Sequence, residues 1–342
     1  MSNTPKDDQG HAFADRPAAI TAEAVLRRQA LQREREAQRL AAPTQFMDPA
    51  PALEADTLWR SLSRNGELRL LVVRATQTVA EAARRLECSA DVTRTLGELM
   101  IGTLLVRSTL NPDDQLQVTL EHQGPMGRVT VDAWREGGMR AYVAHPQEVN
   151  EAFGFLIGAG TLLVSRSAGV GVAGSRSYSS TTALDGDNVA DYFMNYLLDS
   201  EQILSLLQTD VVVAADGTVQ HAVGYLVQLM PEGTRGDIQK ILENLGPLPP
   251  LHQAMTAADP DGRAWAGALL KGFGWDQCAR EAVAFLCRCS RHRMLSMLST
   301  LPKRDLHDLA AGSEPLELLC DYCRARYEVR PAELRGFLAE PS

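Results

Sequence analysis

Between residues 115 and 143, apolar and polar side chains alternate in three short runs, 115–121, 127–132 and 138–143. A period of two puts one face of each run in a core and the other in water. Each run is bounded by Gly, Pro or Asp, so the pattern predicts antiparallel strands. Residues 67–73 and 161–165 read as further strands, and 211–230 as a hairpin turning at Ala215-Asp216-Gly217. Helical periodicity covers 78–87, 91–106 and 188–207, while the serine-rich 175–182 reads as loop. Strands and helices that do not alternate regularly predict an α+β fold with antiparallel strands rather than a doubly wound sheet.

The pattern changes twice along the chain. Residues 1–55 read as an extension, a polar lead followed by a charged helix over 21–40, and the packed domain is expected over 56–233. Residues 234–276 read as a helical linker. A helix over 237–245 is halted by Gly246-Pro247-Leu248-Pro249-Pro250, and a second, over 264–273, is loosened by Gly267 and Gly272. Residues 277–342 form a small C-terminal domain defined by its cysteines.

Composition narrows the function classes. The 342 residues are 45% hydrophobic, enough for a sizeable core, and the net charge of −9 argues against a nucleic-acid or anionic-membrane partner. That charge is concentrated: 183–277 holds 4 basic and 13 acidic side chains. Self-repulsion there is expected to keep the linker ready to open. No apolar run is long enough to span a bilayer, and Asp7 and Asp8 lead into no apolar segment, so a cytoplasmic protein with reduced thiols is expected.

Of six cysteines, four form two close pairs, Cys287-Arg-Cys289 and Cys320-Asp-Tyr-Cys323, with thirty residues between them. Two such knuckles can present four thiolates tetrahedrally, which suits one zinc ion and leaves no open position for Lewis-acid hydrolysis. Arg288, Arg291, Arg293, Arg324 and Arg326 stand near enough in sequence to stabilise the anions. Two readings stay open from the residues alone. One is a structural zinc knuckle serving protein or nucleic-acid interaction, and the other is a redox centre, since a Cys-x-Cys disulfide is strained and easily reopened. Cys88 reads as a small residue at a turn, and Cys278 as a buried thiol or a partner for reshuffling. His292 and His307 are surplus to a complete four-thiolate shell. Gly169-Val-Gly-Val-Ala-Gly174 imitates a dinucleotide fingerprint without the strand–turn–helix setting it needs, so no such cofactor is expected.

Phe285-Leu286-Cys287-Arg288-Cys289-Ser290-Arg291, Leu298-Ser299-Thr300-Leu301-Pro302 and Cys320-Asp321-Tyr322-Cys323 with Tyr327 resemble the C-terminal domain of the heat-shock protein 33 chaperones. Upstream, Gln123-Gly124-Pro125-Met126 is similar to the family's Gly-Asp-Gly-Pro loop. Asp191-Tyr192-Phe193-Met194 with Ser200-Glu201-Gln202 resembles its helix motif, and Gly224-Tyr225-Leu226-Val227-Gln228-Leu229-Met230-Pro231 its late strand. The likeness spans about 64–338. It departs at Gln123, which replaces the loop acid, at the inserted Asn195-Tyr196-Leu197-Leu198-Asp199, and in the Pro-rich break of the linker.

The resemblance implies a non-enzymatic, ATP-independent holdase for unfolded client proteins, switched on by oxidative stress. Reduced, Cys287, Cys289, Cys320 and Cys323 would hold one zinc. Oxidation would pair Cys287 with Cys289 and Cys320 with Cys323, release the ion and unfold the linker. Family members dimerise when active and pass clients to an Hsp70-type system.

Overall fold

The computed structural model describes residues 55–149, 156–168 and 176–339; the expected N-terminal lead and helix and the glycine stretch at 169–174 lie outside them. In chain order the elements begin with β1 Thr57–Ser63, β2 Leu68–Arg74, α1 Thr76–Leu86, α2 Ala90–Arg107, β3 Gln115–His122, β4 Val129–Ala133 and β5 Gly138–Val143. There follow β6 Gly160–Ala168, β7 Arg176–Ala183, α3 Val189–Asp199, β8 Ser205–Val213 and β9 Val219–Leu229. The linker carries α4 Arg235–Leu245, α5 Leu251–Ala254 and α6 Arg263–Leu269. The chain closes with β10 Trp275–Ala282, β11 Ala284–Phe285, α7 Arg291–Leu298, α8 Lys303–Ala311, β12 Leu316–Leu319, β13 Arg326–Val329 and α9 Pro331–Ala339.

The strands form two large sheets. One runs β10-β1-β2-β9-β8 and is antiparallel throughout. The other runs β11-β5-β4-β3-β6-β7 and is antiparallel except for β11 beside β5. With its helices this is the expected α+β architecture. Between the sheets lies α2, apolar around most of its circumference, and a helix of that kind has to be covered on all sides. It packs on β8 and β9 of one sheet and on β3, β4 and β5 of the other. Gly102 lets α3 approach, since a Cβ there would stand 2.2 Å from the Phe193 ring.

The first sheet is covered on both faces, which is why β9 is buried almost end to end. A Cβ at Gly224 would meet Ile101 of α2 at 2.5 Å, so Gly224 faces that helix. Its neighbour Tyr225 points the other way, in a cross-strand row with Val72 and Trp59. The linker covers this row. Tyr225 and Trp265 have ring centroids 4.9 Å apart, Trp59 stacks on Trp275 at 5.7 Å, and Ile241, Leu245, Leu251 and Leu269 join the main core.

Polar contacts fix the cover in place. Asp261, only 6% exposed, accepts from Thr57 Oγ1 at 3.2 Å and from Arg280 at 3.0 Å. Its carbonyl accepts from Trp59 Nε1 at 2.8 Å. Asn244 donates to the carbonyls of Leu269 and Lys271, tying α4 to α6. From α5, His252 bonds Asp210 of β8 and lies 5.8 Å from the His221 ring of β9.

Several expectations are corrected. The helix expected over 188–207 ends at Asp199. Gln202 adopts φ +58°, and Ser205–Val213 becomes β8, the partner β9 needs. Asn195 to Asp199 form the last part of α3. Residues 176–182, within the stretch expected as loop, form most of β7. This strand needs no apolar face because it is an exposed edge, held by the β6 ladder and by Ser165 and Ser179 hydroxyls 2.9 Å apart. β1 and β10 were not legible locally; each is stabilised by pairing with the other, and β10 runs across the expected boundary at 276/277. Several acids of 183–277 also make local hydrogen bonds. Asp237 caps α4 together with Thr234, the Asp259 carboxylate accepts from the backbone of Arg263 and Ala264, and Asp210 and Asp261 hold the linker down.

Two outcomes follow from this arrangement. Asp261→Ala leaves Arg280, Arg263 and Thr57 without their shared acceptor and is expected to cost about 3 kcal/mol, read from urea unfolding. His221 sits below its ordinary 6.5 because burial disfavours the cation, with His252 adding to the effect and Asp210 opposing it. A group with a depressed folded-state basicity contributes stability above its unfolded pKa, and that contribution is lost as pH falls. Stability should therefore drop below about pH 6.5 with a slope that His221→Gln flattens.

Candidate metal centre

The two cysteine pairs sit on different kinds of turn. Cys287 and Cys289 follow β11, whose exit is fixed by the Leu286 N–H donating to Met139 O at 2.8 Å. Ser290 then caps α7 by accepting from Arg293 N. Cys320 and Cys323 close the hairpin between β12 and β13. Cys320 N donates to Ala325 O at 2.9 Å, and Arg324 N donates to Cys320 O at 2.8 Å, with Arg324 in the left-handed region at φ +58°. Both turns thus aim their sulfurs by backbone hydrogen bonds.

All four sulfurs lie within 4.8 Å of one another. Cys287 and Cys320 are 3.8 Å apart and Cys289 and Cys323 3.3 Å. A tetrahedron of thiolates at zinc–sulfur bonds of about 2.3 Å has edges of about 3.8 Å, so the set fits a closed four-sulfur shell. Neither His292 nor His307 joins the cluster among the described residues. The sulfurs are unequal: Cys320 and Cys323 are buried, Cys287 and Cys289 half-buried. At Cys289 burial raises the pKa, but the Tyr327 hydroxyl, 3.1 Å away, and the other sulfurs outweigh it, bringing the thiol down to about 7. Tyr327 is pushed up to about 12, chiefly by its bond to Cys289. Burial pushes Cys320 and Cys323 upward.

The arginines are placed differently from the sequence expectation. Arg291 pairs with Glu333 at 2.7 Å and Arg326 with Glu317 at 2.8 Å. Arg288 lies over the Trp134 ring at 4.0 Å, and Arg293 donates to the Arg288 carbonyl. The guanidinium bonded to a cysteine is Arg140 of β5, which contacts Cys287, pairs with Asp132 at 2.7 Å and lies over the Tyr322 ring at 3.8 Å. Tyr322, between Cys320 and Cys323, therefore docks the second pair on the β4–β5 surface. Tyr322 was legible within its motif. Arg140 was not, because only the fold brings it to the centre. Cys88 packs against the main core, where burial raises its thiol to about 12. Cys278 lies on β10, its side chain outside the described ones.

A model of the Hsp33 protein family matches residues 56–330. A 33 kDa chaperonin of Thermus thermophilus is 31% identical over 299 residues, covering 82% of this chain and 86% of its own. That of Symbiobacterium thermophilum is also 31% identical, over 292 residues, at 82% and 96% coverage. The crystal structure of a 33 kDa chaperonin, a heat shock protein 33 homologue from Thermotoga maritima, superposes with a TM-score of 0.71 at 27% identity. It covers 83% of this chain and 98% of its own.

Reactivity should follow this ordering. In native reduced protein treated with iodoacetamide near neutral pH, Cys289 is expected to alkylate ahead of Cys320 and Cys323. Cys88, whose thiol burial also raises, should react slowly as well, and rapidly only after unfolding. Peptide mass spectrometry of a time course reads the order.

Proposed function

The chain belongs to the Hsp33 family, and on that premise we propose that it is a redox-regulated, ATP-independent holdase without enzymatic activity. The observation that carries the reading is the position of the four sulfurs, gathered where the strands that close both sheets end. Cys287, Cys289, Cys320 and Cys323 would hold one zinc ion in the reduced state. Bound zinc would keep the thiols deprotonated and supply about 10–16 kcal/mol of folding free energy to the small domain around it.

That contribution matters because the C-terminal core is thin. Among the described residues its buried apolar cluster is Leu298, Leu306, Ala310, Val329 and Leu334, few for a domain of this size. A two-electron oxidant, hypochlorous acid or peroxide, would accept two electrons from each pair of thiolates as the S–S bond forms, one equivalent per pair, its O–Cl or O–O bond breaking to leave chloride and hydroxide or two hydroxides. We assign the resulting disulfides to Cys287–Cys289 and Cys320–Cys323. Other pairings are sterically close in the reduced form, so peptide mapping distinguishes them. With the sulfurs withdrawn from the centre, the contacts of Arg140 with Cys287 and of Tyr322 with the β4–β5 surface would loosen. The linker would follow. Its departure would bare the Trp59–Val72–Tyr225 row and the apolar faces of α4 to α6 to unfolded clients.

In these terms residues 56–233 are the client-binding domain, 234–276 the linker and 277–342 the switch, which begins inside β10. We place the protein in the cytoplasm, in keeping with a fold in which no helix among the described residues is long and apolar enough to cross a membrane. We expect it to dimerise when oxidised and to hand clients to an Hsp70-type system.

Peroxide at elevated temperature should release about one zinc per chain and create suppression of client aggregation, both reversed by dithiothreitol. Equal protection by the reduced protein would overturn the switch. Tight zinc binding by Cys287→Ser would overturn the four-thiolate site.

A further inference from the structure

Where β2 and β6 meet the C-terminal ends of α2 and α3, they leave a cavity of about 210 Å³. Val106, Leu110, Leu197 and Ile203 give it an aliphatic wall, and Arg69, Arg166 and Glu201 give it charge. One of these charges is paired with an opposite charge, and another holds a neutral hydroxyl. Arg166 makes 2.9 and 2.5 Å contacts with the Asp114 carboxylate, and Glu201 accepts from the Tyr196 hydroxyl at 2.6 Å.

Arg69 is not matched. It is half-buried and has no carboxylate partner among the described residues. Its hydrogen bonds, both from Nη1, reach Thr109 O at 3.5 Å and Gln228 Oε1 at 3.4 Å. Bonds of this kind are normally about 2.7–3.2 Å, so these are stretched, and most of the five N–H donors of the guanidinium are unspent. Gln228 stands opposite Arg69 across the β2–β9 ladder. It is 1% exposed, and its Nε2 has no partner. Nearby, Arg107 is 3% exposed and donates to the carbonyls of Pro112 and Asp114. The site therefore sets the unspent donors of Arg69 and the singly bonded Glu201 carboxylate beside a wall of hydrocarbon.

A half-buried guanidinium whose hydrogen bonds are stretched gains charge-assisted bonds from an anion placed against it. A carboxylate matches the guanidinium fork with a single charge. A phosphate would set a second charge against Glu201 and the aliphatic wall. The volume lies below the usual range of about 300–1,000 Å³ for ligand pockets, which suits a molecule the size of one amino acid. We propose that this cavity binds a small aliphatic carboxylate, its carboxylate held by the unspent donors of Arg69 and its hydrocarbon against Leu110, Leu197 and Ile203.

Calorimetry on the full-length reduced protein tests this with 4-methylpentanoate, leucine, 4-methylpentanol and inorganic phosphate as probes. At least one of the two carboxylates should bind saturably, one per chain, and raise the melting temperature. Tighter binding of leucine would add an ammonium contact to Glu201, and tighter binding of 4-methylpentanoate would exclude one; either supports the site. Arg69→Gln should weaken binding about tenfold or more. Leu110→Trp, at a half-buried turn position, should fill the cavity and abolish binding with Arg69 still in place. The variant and the alcohol control keep the test decisive should Arg69→Gln fail to fold. No binding of either carboxylate at millimolar concentration, equal binding of the alcohol or of phosphate, or binding unchanged in Leu110→Trp would overturn the proposal.

Discussion

The outer face of the first sheet is apolar and must be covered. Trp59, Val72 and Tyr225 present a row of large side chains that α2, occupied on the opposite face, cannot shield. The cover is three short helices, one of four residues, none of a length that is stable alone in water. They are held by what lies beneath them: Trp265 on Tyr225, Trp275 on Trp59, and Asp261 on β1 and β10. The sheet and its cover therefore stabilise each other, and neither set of contacts is retained if the other is lost.

Residues 275–285 connect this cover to the cysteines by backbone hydrogen bonds. β10 completes the edge of one sheet and β11, two residues later, the edge of the other, with the Val283 N–H donating to Asp56 O between them. Cys287 follows at once. A second attachment runs through side chains, Arg140 over Tyr322 and Arg288 over Trp134. The sulfur cluster thus touches the folded domain through a strand end and two cation–π contacts, the latter worth about 0.5–2 kcal/mol each. This is a physical path for coupling, with few contacts to break.

What could be read in advance depended on how local the determinants were. β3 to β5 announce themselves by their alternation, and α2 because eighteen residues pass without a proline, with only Gly97 and Gly102 to weaken the helix. The cysteine pairs were legible because turn geometry within three or four residues brings each pair together. β7 was hidden because an edge strand of serines and threonines carries no apolar signal. β10, Trp-Asp-Gln-Cys-Ala-Arg-Glu-Ala, owes its conformation to a partner far away in sequence. The same distance concealed Arg140, whose place beside Cys287 depends on the parallel pairing of β11 with β5.

The pairing of Thr57 with Ala282 has a consequence for how the protein is made. On the ribosome β1 emerges early, pairs with β2 and then waits for most of the chain before its other edge acquires β10. Contacts this distant in sequence form late, and an uncovered strand edge is a template for unwanted pairing in the interval. The nascent chain therefore carries, for the length of its own synthesis, an open edge that other unfolded polypeptides can join.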